Sequence, residues 1–272
     1  DIGVTGVQTC ALPICEGITG QDGTHRLVIL AASTGEQIVN RFGIGTTAAF
    51  TWLMELAKTH PTGIFVGFGF SYDVNMMLRD LPVEQAELLH LRQRITAGRW
   101  EIRYIPNRQF AVTDRVTGIR ITIWGVRGYW RSSFVKALRE TGIPVPSIID
   151  EGKASRAGFT DADLDFMVDY NRAELETLSE LMHRVRARLR SVGIRVSRYD
   201  GAGSIASALM TQHMDRETLA PMPDNIQPLV RCAFYGGRIE AIKYGHTDQQ
   251  VHVYDIRSAY PAALTKIGRA HA

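Results

Sequence analysis

The chain has 272 residues, 45% hydrophobic and 22% charged, with a net charge of +3 and three cysteines. That is globular composition with room for one large or two modest domains; three scattered cysteines exclude a disulfide framework and a zinc site, and the mild positive charge suits a nucleic-acid partner without requiring one. No apolar run reaches the roughly 18 residues of a bilayer span and no leader is recognisable, so a reduced, cytoplasmic setting with no membrane partner is expected.

In chain order, Val4–Ile14 (VTGVQTCALPI) resembles the translation of a common short-read sequencing adapter, and residues 267–271 (IGRAH) resemble the same adapter on the opposite strand. Residues 1–14 and 267–272 are therefore expected to be adapter-derived, and 1–13 and 267–272 to pack poorly. Residues 26–42 alternate as two strands. Thr46–His60 repeats its apolar residues at helical spacing and is stopped by Pro61 and Gly63. Ile64–Tyr72 (IFVGFGFSY) is a continuous apolar run, as expected of a buried central strand. Val83–Arg94 reads as a helix, Arg99–Trp124 as two or three strands, and Phe134–Glu140 as a short helix. Thr160 and Asp163 form a capping-box signal for a long helix running to Arg190. Ser204–Met214 is a further helix, followed by a linker containing Pro221, Pro223 and Pro228, then strand-like stretches near Tyr235 and Val251–Tyr254.

Within the long helix, Met167, Tyr170, Leu178, Leu181 and Val185 make an apolar stripe, and Glu174 falls on it. A buried carboxylate costs several kcal/mol unless it is paired or binds a metal, so Glu174 marks a frayed stripe, half of a structural ion pair, or a ligand. Asp73 ends the apolar run after Tyr72, placed for a cleft or as the N-cap of the following helix. Glu16 is uninformative alone.

Taken together, these residues resemble the three acidic motifs of the 3′→5′ exonuclease domain of family B DNA polymerases. Glu16, in Cys15-Glu-Gly-Ile-Thr19, resembles the second carboxylate of the first motif, Asp-x-Glu, whose leading Asp would fall at Ile14. Tyr72-Asp73 resembles the second motif, although Phe68 and Gly69 stand where that motif often carries Asn. Tyr170-Asn-Arg-Ala-Glu174 resembles the third, with Glu in place of Asp. The resemblance implies an α/β, ribonuclease-H-like domain over 15–195. It further implies two Mg²⁺ or Mn²⁺ ions held by Glu16, Asp73 and Glu174, with Tyr170 orienting the attacking water. Ser133-Phe134 resembles a motif contacting single-stranded DNA, and Lys153 a phosphate-contacting lysine of the protein-primed branch; an N-cap serine and a surface lysine are the plainer alternatives.

A second set of motifs follows. Asp255-Ile-Arg-Ser258-Ala-Tyr260-Pro261 resembles the first palm motif of the same family, Asp-x-x-Ser-Leu-Tyr-Pro. The resemblance implies that Asp255 binds catalytic metal, and that Ser258 and Tyr260 belong to the nucleotide site. Phe234-Tyr235-Gly236-Gly237 resembles the Tyr-x-Gly-Gly element that joins the two domains and meets template DNA; a hairpin turn is the alternative. The expected order is an exonuclease domain at 15–195, a connector at 196–230 and the start of a polymerase palm at 231–266. Implied partners are primer-template and a single-stranded 3′ end, deoxynucleoside triphosphates, and a terminal protein primer, in a bacterial, phage or plasmid setting. No polymerase activity is expected of this chain, because nothing after Tyr260 supplies the second palm aspartate. Gly201-Ala-Gly203-Ser-Ile-Ala206 imitates a dinucleotide fingerprint, but Asp224 lies in a proline-rich linker rather than at a strand end. The rival readings are a stand-alone 3′→5′ exonuclease and an inactive DNA-binding module.

Overall fold

A computed structural model describes residues 9–11 (backbone), 16–20, 23–155, 158–213, 224, 225 and 228. The chain divides into two compact units, Asp1–Leu219 and Ala220–Ala272. The division falls within the expected connector, and apart from 224, 225 and 228 the described residues all lie in the first unit.

Its elements are β1 (Thr9–Ala11), β2 (Glu16–Thr19), β3 (His25–Ala31), β4 (Gln37–Val39), α1 (Thr46–Thr59), β5 (Ile64–Gly67), α2 (Ser71–Met77), α3 (Val83–Arg92), β6 (Arg94–Ala97), β7 (Trp100–Ile105), β8 (Gln109–Asp114) and β9 (Arg120–Gly125). A 3-10 turn (Val126–Tyr129) leads to α4 (Phe134–Glu140), α5 (Ser147–Ser155), α6 (Leu164–Ser191) and α7 (Ala202–His213). This is a mixed α/β architecture. One sheet has the order β1-β5-β9-β8-β7-β6, with β1, β5 and β9 parallel and the remaining pairs antiparallel; β2, β3 and β4 form an antiparallel second sheet.

Strand periodicity sorts the side chains into two cores. Phe65, Phe110, Val112, Ile121 and Ile123 pack with Phe50 and Leu53 of α1 and Val74 and Met77 of α2. Val66, the neighbour of Phe65, instead joins Ile18, Val28 and Ile29 against Leu138 of α4, Ile149 of α5, and Tyr170 and Leu178 of α6. Helices therefore cover two faces, and β5 is buried from both, which is why it reads as an unbroken apolar run. No described helix is long and apolar enough to cross a membrane.

The expected strand over 64–72 stops at Gly67. Gly69 takes a left-handed φ of 66° and the chain turns into α2. Asp73 is thus neither at a strand end nor an N-cap; Phe70 holds the N-cap position and Asp73 lies in the first helical turn. Among the elements that escaped the periodicity reading are β6 and α5. Gln93, at φ 57°, ends α3 and lets Arg94–Ala97 pair as β6, while α5 buries only Ile149 and Gly152 and so shows no apolar repeat. Of residues 1–13, expected to pack poorly, the backbone of Thr9–Ala11 pairs in parallel with Ile64–Val66, and the rest lie outside the described residues. Strand pairing uses backbone groups that any non-proline sequence offers. Residues 267–272 lie outside the described residues.

Candidate active site

The long helix answers the question posed by its own stripe. Its start carries the expected capping box, in which Asp163 Oδ2 accepts from Thr160 N at 2.8 Å. Met167, Tyr170, Leu178 and Leu181 are buried, Val185 partly so, and Glu174 is only 2% exposed. The carboxylate is neutralised from α5, where Lys153 Nζ donates to Glu174 Oε1 at 2.5 Å. Beside it, Gly152 lets the two helices close. A Cβ at that position would lie 2.3 Å from Cδ2 of the Tyr170 ring. The ammonium of Lys153 also stands 5.6 Å from the centre of the Phe134 ring, which packs on Phe68 at 5.1 Å. Lys153, Glu174, Tyr170 and Phe134 therefore form one constellation of charge, phenol and aromatic wall. Phe134 is buried within it, and Ser133 is the N-cap of α4, accepting from Lys136 N at 3.3 Å.

Glu16 on β2 and Asp73 on α2 are both buried at 7% exposure. Their immediate neighbours meet. Tyr72 Oη hydrogen-bonds His25 Nε2, and the strand partner of His25 is Thr19. Gly17 leaves room for this contact, since a Cβ there would come within 2.5 Å of His25 Nε2 and 2.8 Å of Tyr72 Oη. Arg79 Nη1 closes the clamp by donating to His25 O at 2.6 Å. Burial, helped by the Arg79 charge, holds the His25 imidazole below its ordinary pKa, favouring the neutral ring. His25 and Arg79 were not foreseen from sequence; neither lies in a motif, and their partners are 47 and 54 residues away.

The oxygen donors Glu16, Asp73 and Glu174 suit a hard divalent cation in kind. In arrangement they do not: among the described residues no three His, Cys, Asp or Glu side chains are grouped to hold a metal. Glu174 is also already engaged by Lys153. Position 14, where the first motif would carry its leading acid, lies outside the described residues. The other motif residues, Tyr235, Gly236, Gly237, Asp255, Ser258 and Tyr260, lie outside the described residues.

Residues 164–269 match the family model of DNA polymerase type B, organellar and viral. The matched stretch begins with α6, contains Tyr170 and Glu174, and takes in residues 234–237 and 255–261, in line with the family B resemblance read from those motifs. The likeness is to DNA polymerases and holds over that stretch. No curated protein and no solved structure matches the chain.

Proposed function

We propose that this chain, which over residues 164–269 matches the family model of type B DNA polymerases, carries the proofreading 3′→5′ exonuclease domain of such an enzyme, ribonuclease-H-like in fold, ahead of the first part of its palm. The observation that carries the reading is one stretch of polymerase-type sequence holding both the buried Tyr170–Glu174 pair and the later Asp-Ile-Arg-Ser-Ala-Tyr-Pro run. A stand-alone exonuclease has no use for the second of these.

Divalent ions, when bound, would supply water activation and leaving-group stabilisation for phosphodiester hydrolysis. The described carboxylates do not gather such ions, so each role rests on the side chains themselves. Glu174 presents a carboxylate at the edge of an apolar wall. Lys153 holds that charge inside the fold and is placed to attract a strand's phosphate. Tyr170, one turn before Glu174, offers a phenol for orienting a water. Asp73 and Glu16 provide two further buried acids, and Tyr72, the neighbour of Asp73 in α2, meets His25. For the second unit, the reading assigns Asp255, Ser258 and Tyr260 to a nucleotide site, and Tyr235, Gly236 and Gly237 to template contact, with a protein-primed parent as the branch the motifs resemble.

The test is a 5′-labelled single strand incubated with the purified chain and Mg²⁺. Slow shortening from the 3′ end is expected, faster in Ile14→Asp, which restores the leading acid of the first motif. Asp73→Ala should reduce it by at least ~10²-fold, because residues acting as a unit fail together. Shortening indifferent to Asp73→Ala, or none at all in Ile14→Asp, would overturn the exonuclease assignment.

A further inference from the structure

We infer that the tip of the β7–β8 hairpin is a positioning element that ties helix α2, and with it Asp73, to the segment leaving α6, with Arg108 and Asp200 as its fastening residues. Three stretches remote in sequence meet at residues 125–128. Gly125 ends β9, and a Cβ there would lie 2.3 Å from Asn107 O and 2.8 Å from Phe70 Cε1. The backbone is therefore pressed between the hairpin tip and the residue that caps α2. Asn107 occupies the turn at φ 58°, and its Oδ1 accepts from the hydroxyl of Ser71, the first residue of α2, at 3.0 Å.

The next residue faces the other way. Arg108 Nη2 and Nε reach Asp200 Oδ2 at 2.8 and 3.2 Å, while Arg108 O accepts from Gly125 N at 2.9 Å. The Asp200 side chain is 4% exposed and takes a second guanidinium, Arg198 Nη2, at 2.6 Å. Behind it the two backbones touch, because a Cβ on Gly128 would lie 2.9 Å from Asp200 O. Tyr129 Oη and Ser204 Oγ, 3.4 Å apart, extend the seam to α7. A solvent-facing turn needs no buried carboxylate with two guanidinium partners. In this hairpin that arrangement fixes the tip, and the tip fixes Ser71 and Phe70. Asp73 lies in the first turn of the same helix, so a shift of its start moves the carboxylate. The coupling stands on geometry alone; its catalytic consequence rests on the exonuclease reading.

Hydrogen exchange by mass spectrometry on the whole chain separates the two. Arg108→Met and Asp200→Asn should speed exchange of amides 71–77 about tenfold, through easier local opening. Arg108→Lys keeps the charge without the planar fork and should have a smaller effect. Arg99→Met breaks a comparable pair at the opposite end of the same hairpin and should leave 71–77 unchanged. Faster exchange confined to 197–204, or an equal rise in Arg99→Met, would overturn the inference. In the strand-shortening assay, Arg108→Met should lower kcat with KM for the strand unchanged; a raised KM with kcat intact would refute positioning. Absence of shortening in the unsubstituted chain and in Ile14→Asp counts against the exonuclease reading, while the exchange pattern still decides the coupling.

Discussion

Two buried carboxylates, Asp114 and Glu174, are each neutralised by a partly exposed base, and they are built differently. Asp114 Oδ1 accepts from Arg99 Nε at 2.7 Å and Val116 N at 3.0 Å; its Oδ2 accepts from Arg99 Nη2 and the Thr117 hydroxyl, both at 2.6 Å. Arg99 also lies 5.0 Å from the centre of the Trp100 ring. A planar fork, a hydroxyl and a backbone amide thus saturate the acid and lock the open end of the hairpin. Glu174 instead meets the ammonium of Lys153, a compact charge on a flexible stem, with an aromatic wall on one side and a phenol one turn away. The first arrangement saturates its acid. The second rests on one compact charge on a flexible stem, a pairing that the proposed exonuclease reading would put to use.

The largest effect that would sharpen this contrast comes from removing the bases. Lys153→Met leaves Glu174 buried without its ammonium. It should cost about 2–4 kcal/mol in denaturant unfolding, somewhat under the value for a fully buried pair because Lys153 keeps some exposure. Lys153→Met combined with Glu174→Leu should recover most of that loss, since a well-packed apolar pair can replace a buried ion pair. Arg99→Met should cost less, because Thr117 and Val116 still donate to Asp114. Equal losses from the two single substitutions would break the comparison.

Next in size is Gly152→Ala. Alanine favours a helix, but its methyl would sit 2.3 Å from the ring of Tyr170, which is 1% exposed and cannot move aside. Overpacking should prevail and destabilise by about 1–3 kcal/mol, read from the unfolding midpoint; a stabilised variant would show that α5 and α6 are not closed against each other.

The smallest effect is a pH dependence. The Arg99 fork, with Thr117 and the Val116 amide, holds the Asp114 carboxyl well below the ordinary carboxylate range. A folded-state pKa that is depressed contributes stability above the unfolded value and loses it as pH falls towards the folded one. Unfolding free energy should therefore decline as the solution is acidified below about pH 4, and Asp114→Asn should flatten that decline while lowering the midpoint at neutral pH. An unchanged acid limb would remove Asp114 from the account.

Local order was legible where periodicity is long and caps are explicit. α1, α4 and α6 follow from apolar spacing with clear stops, and the capping box at Thr160 is present as read. The break after Gly67 was not legible, because IFVGFGFSY is apolar throughout and only the left-handed Gly69 turns it. Glu174 could be singled out as a buried acid on an apolar stripe. Its partner could not, since Lys153 is 21 residues away on a helix with no repeat to reveal it. The seam at Gly125–Gly128 was likewise invisible: it joins Ser71, Asn107 and Asp200, and such contacts exist only once the sheet has set their positions. In Gly201-Ala-Gly203, which imitates a nucleotide loop, the first glycine is accounted for by that seam, with Gly201 at φ 122° against the backbone of Gly128.

The claim that Glu174 serves chemistry while Asp114 serves structure is tested by measuring strand-shortening rates and melting midpoints of Glu174→Gln and Asp114→Asn side by side in the Ile14→Asp background. Glutamine still accepts from Lys153, so Glu174→Gln should stay folded and lose at least ~10²-fold in rate. Asp114→Asn should melt lower and cut DNA at the unsubstituted rate. A Glu174→Gln variant that shortens the strand at full speed would contradict the account.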